Sequence, residues 1–117
     1  MEVKIFHNSR CSKSRQTFAL LEEQGISPTV IEYLKNPPDA KTIKHLLKLL
    51  GFSSARQLMR TKETEYKEQQ LDDESLTEDQ LIEAMIKTPK LIERPIVVVD
   101  DKKAVIGRPP ENVLQII

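Results

Sequence analysis

The first third of the chain carries a strand–helix–strand pattern, and this pattern limits the folds that are open to it. Residues 3–6 and 29–33 are rich in side chains that favour strands. Between them, residues 13–24 are predicted to form a helix with Phe18 and Leu21 on one face. Two strands joined by a helix favour a parallel pair with a right-handed crossover.

The middle of the chain predicts further helices. One is expected to end at Gly51, a short one covers 54–59, and the capping box of Thr77 and Gln80 begins another. The apolar residues expected to face the core from the two longer helices are Ile43, Leu46, Leu47, Leu50, Leu81, Ile82, Met85 and Ile86. Residues 62–74 are highly charged, so a surface segment is predicted there.

The C-terminal part predicts a β-hairpin and a last helix. Residues 96–99 form the most apolar run, a polar turn follows, and 104–106 return as a strand, before a helix predicted over 108–117. The order of elements resembles that of a thioredoxin-like domain. We therefore expect one α/β domain over 1–117, with a helical insertion at about 38–89.

Composition excludes several classes of function. Lys and Arg number 18, as do Asp and Glu, so no net field favours nucleic acid as a partner. No apolar run is long enough to span a bilayer, and the N-terminus lacks the pattern of a signal peptide. We therefore expect a cytoplasmic protein with neither nucleic acid nor a membrane as a partner.

The single cysteine, Cys11, is either a small buried residue or a reactive thiol. It cannot form an internal disulfide, and no zinc-finger spacing surrounds it. It follows a polar loop where a helix is expected to begin, and a helix start stabilises a thiolate. Cationic side chains flank it at Arg10, Lys13 and Arg15. These neighbours favour the reactive thiol.

The spacing around Cys11 excludes two well-known thiol sites. A Cys-x-x-Cys dithiol needs a second cysteine where Ser14 stands, and a Cys-x5-Arg phosphate loop needs an arginine where Thr17 stands. What remains is a monothiol, which needs an external thiol to complete a redox cycle. His7 either tunes this thiol or is a structural hydrogen-bonding residue.

Three arginines have unusual neighbours. Arg94 precedes Pro95 at the start of the apolar strand, Arg108 precedes Pro109 after the hairpin, and Arg60 closes the short segment 54–59. Arginine presents planar, forked donors that suit tetrahedral oxyanions. If the strand at 96–99 begins beside the first strand, Arg94 will lie near the cysteine loop.

Together these segments resemble the glutathione- and glutaredoxin-dependent arsenate reductase family. The matching segments are residues 6–15 (FHNSRCSKSR), 33–38 (YLKNPP), 58–60 (LMR), 92–97 (IERPIV) and 106–109 (IGRP). They occur in order over nearly the whole chain. The resemblance implies a thioredoxin-like fold in which Pro95 holds the place of a cis-proline that faces the catalytic thiol.

The resemblance also implies a set of roles. Cys11 is the nucleophile, and arsenate or a similar oxyanion is the substrate. The residues that support the thiolate are His7, Ser14 and Arg15, and those that bind the oxyanion are Arg60, Arg94 and Arg108. Glutathione acts as co-substrate, glutaredoxin clears the resulting disulfide, and no metal or tightly bound cofactor is needed.

Two alternatives remain open on the sequence. A regulator similar to the Spx family would share the architecture and bind RNA polymerase, although many such proteins carry a Cys-x-x-Cys switch that Ser14 rules out here. A glutathione-linked disulfide oxidoreductase would need Cys11, but it would not need all three arginines.

Overall fold

The four strands of the protein form one mixed sheet, in a computed structural model that describes residues 1–117. Its strands are β1 (Val3–Phe6), β2 (Thr29–Ile31), β3 (Ile96–Val99) and β4 (Lys103–Ile106), in the order β2-β1-β3-β4. The β1–β2 pair is parallel, as predicted, and the other two pairs are antiparallel. β2 ends at Ile31, before the predicted limit of residue 33.

The strand register aligns one residue from each strand at a common end of the sheet. Phe6 lies opposite Ile31 on one side and Ile96 on the other, and Ile96 lies opposite Ile106. We call these four residues the terminal row. β1, β2 and β4 end at this row, and β3 starts from it. The segments that follow β1, β2 and β4 and the segment that precedes β3 therefore lie at the same end of the sheet.

Helix α1 (Ser12–Glu23) follows β1 and contributes Leu21 to the core beneath the sheet. Gly25, at φ +77°, lies just beyond the helix, in the left-handed conformation that glycine adopts without penalty. The fully packed members of this core come from β1, α1, β3 and the C-terminal turn: Val3, Ile5, Leu21, Val97, Val99 and Val113.

The predicted last helix is instead a 3-10 helix, Pro110–Gln115. Proline occupies both 109 and 110, so neither position has an N–H to donate to a helical ladder. The Asn112 side chain binds the carbonyls of Ile106 and Arg108, over 3.1 and 3.2 Å. The segment is thus anchored to the end of β4 by a side chain, and it forms the tighter helix that is common in short terminal pieces.

Chain contacts divide the protein into two compact units, residues 1–36 with 94–117, and residues 37–93. The second unit contains α2 (Ala40–Leu50), α3 (Thr64–Glu68), α4 (Glu78–Lys87) and two 3-10 turns, Ala55–Leu58 and Pro89–Leu91. It occupies the part of the sequence where a helical insertion was predicted. That both units form one domain stays a prediction.

Local capping signals set the helix ends of the second unit. Asp39 accepts a hydrogen bond from the Thr42 N–H over 2.8 Å, and Gly51 ends α2 at φ +72°. At α4, the Thr77 hydroxyl accepts from the Gln80 N–H, and the Gln80 side chain accepts from the Thr77 N–H. The capping box predicted from the sequence is therefore confirmed.

The surface segment predicted at 62–74 is wrong in part. It contains α3, and both Tyr66 and Leu71 are buried. The Arg56 guanidinium donates to the Leu71 carbonyl over 3.1 Å and to the Asp73 carbonyl over 2.6 Å, which fixes the chain after the helix. Two widely spaced apolar residues are enough to anchor this charged stretch.

No helix in the structure has the length and apolar character needed to cross a membrane.

Candidate active site

The loop after β1 places Cys11 at the start of α1. Cys11 is the N-cap residue of this helix, with an extended backbone (φ −94°, ψ 123°), and its N–H donates to the Asn8 carbonyl over 3.0 Å. The first N–H groups of a helix have no partners within the helix and carry partial positive charge. The helix start predicted from the sequence therefore lies next to the sulfur.

The environment of Cys11 lowers the pKa of its thiol. Partial burial raises this pKa, but the Ser14 N–H, the Arg94 side chain and the Lys13 N–H near the sulfur lower it, and the Arg94 charge acts in the same direction. The sum of these effects lies below the ordinary value. Because the thiolate is the nucleophilic form, the site raises the fraction of reactive Cys11 at neutral pH.

Two arginines meet the cysteine from the ends of the β-hairpin. Arg94 lies two residues before the terminal row, at the start of β3, and Arg108 lies two residues after it, beyond β4. Arg108 Nη1 lies 3.9 Å from Cys11 Sγ and donates to the Arg94 carbonyl over 3.4 Å. The expected proximity of Arg94 to the cysteine loop follows from the pairing of β3 with β1.

His7 contacts the thiol loop through Ser14. The buried Ser14 hydroxyl accepts a hydrogen bond from the Asn8 N–H over 3.0 Å and lies 2.7 Å from His7 Nδ1. Burial lowers the pKa of the His7 ring, Glu32 raises it and Arg15 lowers it, with a net decrease. A neutral ring that accepts a hydrogen bond from the Ser14 hydroxyl at Nδ1 fits this arrangement. His7 therefore holds the side chain of Ser14, the residue whose N–H lowers the pKa of the Cys11 thiol.

Arg15 acts on the backbone of the loop. Its Nη1 donates to the Ser9 carbonyl over 3.0 Å, and its own N–H donates to the Cys11 carbonyl over 3.0 Å. Arg15 therefore supports the shape of the turn that carries the thiol.

Arg60 lies in the second unit, within a pair of carboxylates. Its Nε donates to Glu63 Oε1 over 2.9 Å and its Nη1 to Glu93 Oε1 over 3.3 Å. The other six predicted site residues all belong to the first unit. A role for Arg60 in oxyanion binding stays a prediction.

Both prolines that follow the hairpin arginines have cis peptide bonds. The Arg94–Pro95 bond is cis, as the resemblance implied, and the Arg108–Pro109 bond is cis as well, which was not predicted. The structure contains no group of three or more His, Cys, Asp or Glu side chains that could hold a metal ion. The Arg94 and Arg108 side chains lie beside the Cys11 thiol.

Comparison with known proteins identifies the family of this chain. The sequence profile of the ArsC family matches residues 6–116. The chain belongs to the ArsC family. Its relatives include the arsenate reductase of Neisseria meningitidis serogroup B, 51% identical over 96% of this chain and 95% of that protein. The uncharacterized protein YfgD of Escherichia coli (strain K12) is 60% identical over 99% of this chain and 97% of that protein.

A solved structure gives the same result for the ArsC fold. The arsenate reductase from Vibrio cholerae matches with a TM-score of 0.97 and 53% identity, covering 100% of this chain and 98% of that one. The thioredoxin-like α/β fold predicted from the order of elements is thus confirmed.

The sequence did not reveal a close contact that supports Arg108 in this ArsC chain. The buried Thr17 hydroxyl donates to the Lys13 carbonyl over 2.8 Å and to the Gly107 carbonyl over 3.1 Å. A Cβ on Gly107 would lie 2.5 Å from Thr17 Oγ1 and 3.0 Å from Pro95 Cγ. Gly107 therefore lets the end of β4 approach α1, and this approach brings the next residue, Arg108, to Cys11.

Gly107→Ala is expected to destabilise the protein and weaken the Arg108–Cys11 contact. Overpacking of a tight interior costs about 1–3 kcal/mol, and the backbone must move away from α1. Chemical denaturation measures the stability, and the pH dependence of Cys11 alkylation reports the thiol environment. Adding Thr17→Ala removes the closest clashing atoms, so the double variant should regain part of the stability. Wild-type stability in Gly107→Ala would show that the close approach has no structural role.

Proposed function

We propose that this protein reduces arsenate to arsenite, with Cys11 as the nucleophile. The observation that carries the proposal is the position of the Cys11 sulfur, which lies at the start of α1 and 3.9 Å from Arg108 Nη1, where the Ser14 N–H and Arg94 lower the pKa of the thiol. These donors stabilise a thiolate and also suit an oxyanion that approaches it. Membership of the ArsC family, with arsenate reductases at 51% identity, supports the same reaction.

The first step is attack of the Cys11 thiolate on arsenic. A sulfur–arsenic bond forms, one arsenic–oxygen bond breaks, and the departing oxygen leaves as water after it takes up a proton. Arg94 and Arg108 neutralise negative charge on the arsenic oxygens during this step, and we assign Arg60 the same task. Arsenic is still pentavalent in the resulting adduct.

Reduction then requires a second thiol. Glutathione, the proposed co-substrate, attacks the sulfur of the adduct, so a disulfide forms between Cys11 and glutathione while the sulfur–arsenic bond breaks. The electron pair of the sulfur–arsenic bond stays on arsenic, which leaves as trivalent arsenite. The chain has one cysteine, so it cannot form an internal disulfide, and a partner dithiol such as glutaredoxin must clear the mixed disulfide. A glutathione-rich cytoplasm suits this cycle.

Arsenite formation by the purified protein tests the proposal. With arsenate, glutathione and glutaredoxin all present, we expect repeated turnover, because each reagent serves a separate step. Omission of glutathione should stop arsenite release, and omission of glutaredoxin should slow turnover after the first cycle. Absence of arsenite under full conditions, together with reduction of a glutathionylated peptide, would favour the disulfide oxidoreductase over the arsenate reductase. Capture of RNA polymerase by a protein without reductase activity would favour the regulator.

A further inference from the structure

Backbone hydrogen bonds fix the position of Arg60 independently of the contacts of its side chain. Met59 and Ile92 form an isolated antiparallel bridge. On either side of it, the Arg60 N–H donates to the Leu91 carbonyl over 2.7 Å, and the Glu93 N–H donates to the Leu58 carbonyl over 2.8 Å. This short ladder places Arg60 and Glu93 near each other, although they are 33 residues apart in sequence.

Two carboxylates then hold the guanidinium at two of its nitrogens. Glu63 accepts a hydrogen bond from Nε over 2.9 Å, and Glu93 accepts one from Nη1 over 3.3 Å. The side chains of Arg60, Glu63 and Glu93 are 22%, 18% and 27% exposed, so water screens these contacts less than it would on an open surface. A guanidinium held at two edges keeps a fixed plane, and its remaining N–H groups have a defined direction.

Glu63 also forms an ion pair with Lys90. Lys90 Nζ lies 3.6 Å from Glu63 Oε2 and 3.4 Å from Glu65 Oε2. The Oε1 atom of Glu63 faces Arg60 and its Oε2 atom faces Lys90. The carboxylate therefore has two cationic neighbours, and its own rotation is restricted.

The charge of this arrangement does not favour anion capture. Arg60, Glu63 and Glu93 together carry a net negative charge, and a lone guanidinium would attract an oxyanion more strongly. The carboxylates must therefore contribute something other than affinity, and the fixed plane of the guanidinium is what the geometry provides.

We propose that Glu63 and Glu93 are positioning residues that orient Arg60 for the oxyanion; this inference rests on the role assigned to Arg60 in the proposed function. Orientation acts mainly on the transition state, because a misdirected donor still attracts the ground-state anion but no longer meets the developing charge. Loss of either glutamate therefore lowers kcat and leaves KM for arsenate unchanged or lower.

The kinetic test is a mutant cycle. Glu63→Ala and Glu93→Ala should each lower kcat roughly tenfold, the size expected when a charge-assisted hydrogen bond is lost. Glu63→Gln and Glu93→Gln, which keep an acceptor oxygen and guard against misfolding, should retain more of kcat. In an Arg60→Ala background none of these changes should lower kcat further, because the partner is gone. Glu83→Ala, which removes an exposed ion pair with Lys87, is the control and should match wild type.

A second readout does not depend on arsenate. The Arg60 Nε–H signal in ¹⁵N NMR, assigned by its loss in Arg60→Lys, should be sharp in the wild type and averaged in Glu63→Ala. An unchanged signal in Glu63→Ala would overturn the positioning role even if the protein reduces no arsenate. Wild-type kcat in both alanine variants, or an equal fall of kcat in the Arg60→Ala background, would also overturn it. Full activity of Arg60→Ala itself would instead refute the proposed role of Arg60 in oxyanion binding.

Discussion

Replacement of Cys11 by serine is expected to abolish arsenate reduction and leave the fold intact. The chain has one cysteine, so no other thiol can form the arsenic adduct. A serine hydroxyl is not ionised at neutral pH and cannot form the disulfide that the cycle needs. Serine is, however, among the best N-cap residues, so α1 should begin as before. Arsenite production measures the loss of activity, and thermal unfolding measures the fold.

A loop variant provides the matched control for this prediction. Ser9→Ala alters an exposed side chain of the same loop and leaves its backbone carbonyl available to Arg15. It should reduce arsenate at close to the wild-type rate. Arsenite formation above background in Cys11→Ser would rule out Cys11 as the nucleophile.

Arg94→Ala is expected to raise the pKa of Cys11 and to lower kcat/KM for arsenate. The variant removes both a hydrogen bond to the sulfur and a nearby positive charge, each of which lowers the pKa in the wild type. The thiolate fraction at neutral pH therefore falls, and the alkylation profile of Cys11 moves to higher pH. Loss of a hydrogen bond to a charged group costs about 1.5–3 kcal/mol, or roughly ten- to a hundredfold in kcat/KM.

Two further variants separate the charge of Arg94 from its shape. Arg94→Lys keeps the charge and loses the fork, so its kcat/KM should lie between those of wild type and Arg94→Ala. Arg10 was expected from the sequence to favour the thiolate, but its side chain is exposed and it is not among the groups that lower the pKa of Cys11 in the structure. Arg10→Ala should therefore leave both the alkylation profile and the kinetics unchanged. A Cys11 pKa in Arg94→Ala equal to that of the wild type would contradict the electrostatic role of Arg94.

Elements with local signals were predicted well. β1 and the two strands of the hairpin follow from short runs of strand-forming residues, and the Thr77 capping box fixes the start of α4. The errors occur where distant contacts override composition. Tyr66 and Leu71 are buried within a charged segment, and no periodic pattern marks two apolar residues five positions apart.

The candidate site divides in the same way. The helix start at Cys11 and the approach of Arg94 could be predicted, because both depend on the order of neighbouring elements. The contact of Thr17 with the Gly107 carbonyl joins residues 90 positions apart. Likewise, the ion pair between Arg60 and Glu93 depends on a two-stranded bridge that no sequence pattern announces. Such contacts require the folded backbone before they can be recognised.

The pairing of β3 with β4 has a consequence for how length changes in this chain would be tolerated. Arg94 lies two residues before Ile96 and Arg108 lies two residues after Ile106, and these two isoleucines are paired. The register of the two strands therefore keeps both cations beside the thiol. One residue inserted within either strand would turn the side chains beyond it to the opposite face of the sheet. Residues added between Asp100 and Lys102, at the far end of the hairpin, would leave this spacing unaltered.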